Sequence, residues 1–213
     1  MPNLSRTLRK EYMKKPLRIL DFKINPLSQF DVWLAEAIKA KISEPNAAAL
    51  ATADSHGRPS ARFVLIKGVN NKGITFFTNY LSRKGAEIKK QPWVALVIYW
   101  PKLSRQIRIE GRAVKLGSAE SDKYFNSRPR GAQVAATVSQ QSQKLSSYED
   151  LLARFELADE SLPTRSVKRP TNWGGYIVKP TRFEFWQGQR NRMHQRVEYH
   201  RIRGRWRRYI LSP

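Results

Sequence analysis

Apolar side chains recur every three or four positions from Phe30 through Trp33, Leu34, Ala37 and Ile38 to Ile42, a spacing that gathers them on one helix face. Ser28, with Asp31 three positions on, forms an approximate capping box and sets the expected start. After residue 46 the period shortens. AAALATA (47–53), ARFVLIK (61–67), GITFFT (73–78), VALVIYW (94–100) and RQIRIEGRAVKL (105–116) read as strands, divided by turn sequences such as HGRP and NNKG. Ser82 is placed to cap a short helix from Arg83 to about Gln91, and Ser118 another that runs through Tyr124 and Phe125 to Pro129. A third helix is expected over 148–157. Strands return at 174–180 and 182–187 and in a hairpin over 196–209, with 158–172 as a connecting loop. Strands, inserted helices and strands again predict a mainly β fold with helices, a barrel rather than alternating βαβ units.

The length of 213 residues suits a single domain spanning 1–213, since a chain of that size buries roughly 70% of its unfolded surface in one core. Hydrophobic residues make up 40% of it, too many for a disordered polycation. Forty Lys and Arg nevertheless face seventeen Asp and Glu, a net charge of +23 that calls for anionic partners. The chain has no cysteine, which excludes disulfides, thiolate catalysis and cysteine-ligated metal centres. No apolar run of signal-peptide or membrane-spanning length occurs, so a cytoplasmic protein is expected. The basic surplus is densest over 161–213, where thirteen basic residues meet two acidic ones. There HRIRGRWRRY places Arg201, Arg203, Arg205 and Arg207 at alternate positions, a basic strip with Trp206 on the opposite face. Such a strip suits a nucleic-acid backbone or simply water, because polyanion attraction follows from charge alone.

Neither GxGxxG nor GxxxxGK[ST] is present, so phosphate binding needs another device. Arg83 and Lys84 open a predicted helix, where unpaired N–H groups and the helix dipole favour an anion. Arg62 and Lys67 flank the apolar run FVLI, but strict alternation puts them on opposite strand faces. In RQIRIEG the same alternation groups Gln106, Arg108 and Glu110 on a polar face. YFNSRPR (124–130) concentrates a phenol and guanidiniums, whose forks match phosphate oxygens. FWQGQRNRMHQR (185–196) sets Arg192 and His194 two apart, on one side if that piece is extended. His194 has no carboxylate or cysteine near it in sequence, so no metal role is expected. GxSxG and paired catalytic carboxylates are both missing.

In order and spacing, RFVLIK (62–67), FFTNYLSRKGAEI (76–88), RQIRIEG (105–111), KYFNSRPR (123–130), VSQQSQ (138–143), NWGGY (172–176) and FEFWQGQRNRMHQR (183–196) resemble the pyridoxine/pyridoxamine 5′-phosphate oxidase family. The likeness runs from LRKEY (8–12) to the C-terminal hairpin. It implies an FMN-binding split β-barrel working as a homodimer with FMN at the subunit interface. By position, the FMN site would take Arg62, Phe63, Val64, Leu65, Ile66 and Lys67 from one strand, and Phe77, Thr78, Arg83 and Lys84 from the next motif. Gln106, Gln141, Ser142, Trp173 and Arg196 would complete it. The substrate would meet Lys67, Tyr124, Arg128 and Ala132, and its phosphate would be held by the first three. Family members commonly carry Ser where Ala132 stands, so one bond to a charged group, worth about 1.5–3 kcal/mol, is missing. Arg192, Met193 and His194 would lie at the substrate ring, with Arg192 and His194 as the catalytic pair. Arg9, Lys10, Glu11 and Tyr12 would belong to an N-terminal arm, residues 1–26, that closes over the site.

The implied reaction oxidises pyridoxamine 5′-phosphate or pyridoxine 5′-phosphate to pyridoxal 5′-phosphate, with hydride passing to flavin N5 and O2 returning the flavin to its oxidised form with H2O2 as product. The flavin carries the redox chemistry and the protein supplies orientation and charge. Two alternatives stay open at this stage: a split barrel that binds FMN without this oxidase activity, and a basic nucleic-acid-binding module.

Overall fold

The computed structural model describes residues 16–162 and 167–213. Five helices and nine strands follow the order α1 (Pro26–Lys39), β1 (Ala47–Ala53), β2 (Pro59–Leu65), β3 (Gly68–Asn70), β4 (Gly73–Asn79), α2 (Arg83–Lys90), β5 (Trp93–Trp100), β6 (Arg105–Lys115), α3 (Ser118–Asn126), α4 (Arg130–Val138), α5 (Tyr148–Ser161), β7 (Trp173–Gln187), β8 (Gln195–Ile202) and β9 (Arg205–Leu211). Hydrogen bonding orders the strands β2-β1-β5-β6-β7-β4-β3, with β8 on β7 and β9 on β8. No described helix is long and apolar enough to cross a membrane.

The chain forms two compact units. Of the described residues, one comprises 16–49, 95–110 and 180–213, the other 50–94, 111–162 and 167–179. Each passage from one to the other falls inside a strand, in β1, β5, β6 and β7. In the first unit Phe22, Trp33 and Phe185 pack with ring centroids 5.1–6.0 Å apart. The Arg105 guanidinium lies 4.4 Å from the Trp33 ring. In the second, Phe125, Val134, Val167 and Trp173 form a buried cluster against Phe77, Tyr124 and Phe155.

Local signals account for most boundaries, and the departures have identifiable causes. Helix α1 starts at Pro26, not Ser28: the Asn25 side chain accepts from Leu27 N–H at 3.0 Å, and proline at the first position loses no bond it could have made. The strand expected over 61–67 stops at Leu65, and Ile66 and Lys67 lead into the short β3. Helix α4 was not expected. Pro129, read from sequence as a terminator, both follows α3 and serves as the N-cap of α4, so a second helix begins at once. Helix α5 continues to Ser161, four residues into the expected loop, after Ser147 caps it by accepting from Asp150 N–H at 3.0 Å. The segments expected as strands 174–180 and 182–187 are one strand. Its register with β4 ends at Val178 and its register with β8 begins at Arg182, so Pro180 sits where that edge changes partner and an N–H is dispensable.

The hairpin also departs from the expected basic strip. Arg203 and Gly204 both have positive φ, 48° and 79°, which makes a tight type I′-like turn. Across it Arg201 pairs with Trp206 and Ile202 with Arg205. Directly opposed residues share a face, so Arg201 lies beside Trp206, 6.0 Å from its ring, while Arg205 and Arg207 take the other face. Arg203 is in the turn, and no four-arginine row forms.

Helix α2 opens as expected, with the Ser82 hydroxyl accepting from Gly85 N–H. The turn into it is close enough that a Cβ on Gly85 would stand 2.2 Å from the Tyr80 carbonyl oxygen. Gly85→Ala should therefore lower stability by about 1–3 kcal/mol, the usual cost of overpacking against backbone. Thermal unfolding of the two proteins side by side measures this, and an unchanged midpoint would contradict the geometry.

Candidate functional site

The second unit contains a cavity of about 330 Å³, within the span of small-molecule sites, roughly 300–1,000 Å³. Leu65 and Lys67 line it from the end of β2, Phe77, Thr78 and Asn79 from β4, Tyr124 and Arg128 from α3 and the turn after it, Ala135 and Ala136 from α4, Ser139 and Gln141 beyond, and Trp173 from β7. Three of its rings are nearly parallel. Phe77 and Tyr124 stack at 3.8 Å and 17°, and Trp173 lies 5.7 Å from Phe77 at 12°. Gly175 of the NWGGY motif lies close by, and a Cβ there would meet the Phe77 ring at 2.8 Å.

The Arg128 guanidinium lies 4.5 Å from the Trp173 ring, and its Nη1 is buried with no hydrogen-bond partner among the described residues. Burial pushes this guanidinium below its usual pKa, opposed by the Tyr124 phenol. A buried, unpartnered guanidinium nitrogen is costly, and an anion in the cavity is what would satisfy it.

Lys84 carries the same message. The residue is 9% exposed, and its ammonium donates to Gln141 Oε1 at 2.8 Å and Thr78 Oγ1 at 3.2 Å, both cavity-lining residues. Burial pulls its pKa down, the charge of Arg62 adds to that, and Glu87 opposes. Among the described residues, Lys67, Lys84 and Arg128 make no ion pair. Arg62 and Arg83 are placed differently. Both pair with buried Glu87, at 3.3 Å and 2.8 Å, and Arg62 also donates to Thr52 and Ser60. Within β2, Arg62 and Val64 share the partly covered face, Phe63 is 77% exposed and Ile66 is buried. Ser142 adopts a left-handed backbone, φ 73°, in the turn closed by Gln143 N–H on Gln140 O.

Gln106, Arg192, Met193, His194 and Arg196 belong to the first unit. Gln106 sits on the half-exposed face of β6, with Ile107 and Ile109 buried on the other, as alternation predicts. Arg196 is bound to buried Glu184 at 2.8 and 3.1 Å, and to the Ser212 carbonyl. Arg192 and His194 are not in extended chain. Arg190–Arg192 is a 3-10 turn in which Asn191 and Arg192 have left-handed φ of 53° and 60°, and His194 N–H donates to the Arg192 carbonyl. The imidazole Nδ1 accepts from Gln189 N–H at 3.1 Å, so the neutral ring carries its proton on Nε2. Burial lowers the His194 pKa and the Arg192 charge lowers it further. Met193, between them, is largely exposed. Arg9, Lys10, Glu11 and Tyr12 lie outside the described residues.

Residues 34–159 match the family described as pyridoxamine 5′-phosphate oxidase, and 173–213 match the pyridoxine 5′-phosphate oxidase C-terminal dimerisation region. The chain belongs to this oxidase family. It is 48% identical over 206 residues to a pyridoxine/pyridoxamine 5′-phosphate oxidase of Haemophilus influenzae, covering 97% of this chain and 98% of that one. It is 47% identical to another protein of that name from Rubrobacter xylanophilus, over 97% and 95% of the two chains. Among solved structures, PhzG from Burkholderia lata 383, determined with tetrahydrophenazine-1-carboxylic acid, superposes with a TM-score of 0.89 at 33% identity, over 96% of this chain and all of that one. The fold is the split barrel of the oxidase family, mainly β with helices.

Residues outside the expected set also line the cavity, Ala135 and Ala136 from α4 among them. Asn79 and Ser139 line the cavity and also meet each other, Asn79 Nδ2 donating to the Ser139 carbonyl at 3.5 Å. Trp186 packs its ring 4.7 Å from His194. Asn79 was within reach of sequence reading, inside the FFTNY motif. Ser139 likewise stands inside the VSQQSQ motif, although α4, which leads to it, has no counterpart among the expected helices. Ala132 does not line the cavity and offers no hydroxyl.

The Glu87 carboxyl is pushed up by burial, but hydrogen bonds from Thr52, Ser60 and Arg83 and the charge of Arg62 prevail and bring it from 4.5 to about 2. A folded pKa below the unfolded one stabilises above the unfolded value and is lost as pH falls through 4.5 towards 2. Melting temperatures taken between about pH 6 and about pH 3 should fall more steeply for the unaltered chain than for Glu87→Gln. Parallel curves would mean that the carboxylate is not held in this way.

Proposed function

We propose that this chain oxidises pyridoxamine 5′-phosphate and pyridoxine 5′-phosphate to pyridoxal 5′-phosphate with FMN as cofactor. The observation that carries the reading is the unpaired charge at the cavity: among the described residues Lys67 and Arg128 in its lining and Lys84 behind it have no carboxylate partner, one guanidinium nitrogen of Arg128 is buried and unsatisfied, and Tyr124 stands beside it. Phosphate esters carry about two negative charges and several acceptor oxygens, which suits that set. The residues also fit a flavin phosphate, since buried Lys84 has hydrogen bonds but, among the described residues, no counter-ion.

In this reading Lys67, Tyr124 and Arg128 hold the substrate phosphate, and Lys84, Thr78, Gln141 and Phe77 belong to the cofactor site. When bound, FMN would supply the two-electron acceptor for hydride leaving the substrate C4′ carbon, with O2 as the terminal oxidant and H2O2 as product; with pyridoxamine 5′-phosphate the reaction also takes up water and releases ammonia. Arg192 aligns the substrate and stabilises developing charge. His194, with a lowered pKa and its proton on Nε2, acts as a neutral hydrogen-bond donor in positioning rather than as a proton acceptor. The homodimer is part of the same proposal. Residues 173–213 match a dimerisation region, and Phe63, Trp93 and Ile210 are large apolar side chains left exposed in the single chain.

An aerobic assay with added FMN should convert pyridoxamine 5′-phosphate to the aldehyde, and yellow protein that makes none would overturn the oxidase reading. Arg128→Ala should raise KM for that substrate by about ten- to a hundredfold, the equivalent of one lost bond to a charged group. Arg192→Ala and His194→Ala should depress turnover while FMN stays bound; release of FMN in both would mean that their roles are misassigned. Sedimentation at micromolar concentration should show a dimer, and a flavin-loaded monomer would contradict the proposal.

A further inference from the structure

Helices α3 and α4 are joined by only Ser127, Arg128 and Pro129, so the phosphate-binding candidate Arg128 sits in the middle of a three-residue turn. Such a turn has a hydrogen-bonding problem. The last carbonyls of α3 have no helical partners, and Pro129 brings no N–H. Part of the solution is local: Ser127 N–H donates to Tyr124 O, and Arg128 N–H to Phe125 O at 3.1 Å. The rest comes from one side chain in the first turn of α4.

Gln133 is 9% exposed, and its Nε2 donates to Arg128 O at 3.0 Å, Phe125 O at 3.2 Å and Asn126 O at 3.3 Å. Three carbonyls around one atom of the amide identify that atom as nitrogen. Its own backbone N–H closes on Pro129 O at 3.1 Å. The Arg128 backbone is thereby held at its N–H by α3 and at its C=O by Gln133. The side chain has a third restraint, the Trp173 ring, and Trp173 is itself held by Arg169, which donates to the Trp173 carbonyl and pairs with Asp122 at 2.6 Å.

We infer that Gln133 is a positioning residue for substrate binding: its amide fixes the Ser127–Pro129 turn so that Arg128 meets the substrate phosphate already aimed. The inference rests on the reading that Arg128 holds that phosphate. Gln133 does not line the cavity. Its contribution is to remove in advance the conformational freedom that binding would otherwise have to suppress, so the loss falls on affinity and not on the chemical step.

The test compares Gln133→Met, of similar length without a donor, Gln133→Asn, which withdraws the amide by one bond, and Arg128→Ala, each purified with FMN. For Gln133→Met, KM for pyridoxamine 5′-phosphate should rise by about tenfold or more with kcat within about twofold and FMN content unchanged, since two carbonyl partners of the turn lose their donor. Gln133→Asn should give a smaller rise in the same parameter, and it keeps the test open if the Met variant does not fold. A KM unchanged in folded Gln133→Asn, or a fall in kcat matching the rise in KM, would overturn the positioning role. If Arg128→Ala raises KM and the Gln133 variants do not, this inference alone fails. If Arg128→Ala leaves KM unchanged, the phosphate assignment fails and this inference with it.

Discussion

The buried carboxylate of Glu87 draws Arg62 and Arg83 to itself, and with so few acidic residues in the chain that pairing sets them apart from the cations that make no ion pair among the described residues. The same partition recurs elsewhere. Glu184, also buried, takes Arg108 and Arg196, and Glu198, directly across the strand pair from it, takes Arg182. Two carboxylates facing each other across a β ladder would repel, and their guanidinium partners make the arrangement tolerable. After these pairings Lys67, Lys84 and Arg128 are left around one cavity without ion pairs among the described residues. Net charge alone says only that the protein attracts anions; the allocation of carboxylates gives that attraction a location.

Burial gives it strength. An exposed lysine would gain little from a phosphate in water, because solvent and salt screen the interaction. Lys84 has already lost most of its hydration and retains it only in part through Thr78 and Gln141, while Arg128 has lost a hydrogen-bond partner outright. Both costs are met within the fold, and in the proposed function a bound phosphate would recover them. The aromatic stack of Phe77, Tyr124 and Trp173 keeps these groups in place with side chains that have little rotational freedom.

The first unit applies a different device. The Arg190–Arg192 turn carries two non-glycine residues in left-handed backbone, a conformation that costs energy and persists because neighbouring bonds determine it. Gln189 fixes the His194 tautomer through its backbone N–H, and Trp186 packs on the ring. A histidine oriented at both faces, with its basicity lowered, is suited to donating a hydrogen bond in one direction.

What the chain encodes locally could be read locally. Strand β1 occupies 47–53 as its composition indicates, Ser82 caps α2, and RQIRIEG alternates polar and buried positions, because each depends on residues two to four apart. The order of its motifs likewise identified the family. Other features required the folded chain. Pro129 reads as a stop in sequence but starts α4, Pro180 interrupts nothing because its strand edge changes partner there, and the Arg203–Gly204 turn moves Arg201 beside Trp206 and breaks up the basic row. Above all, sequence spacing made Arg62, Lys67, Arg83 and Lys84 look equivalent. Their difference lies in partners such as Glu87, twenty-five residues from Arg62, and Gln141, fifty-seven from Lys84, distances at which only tertiary packing brings charges and acceptors together.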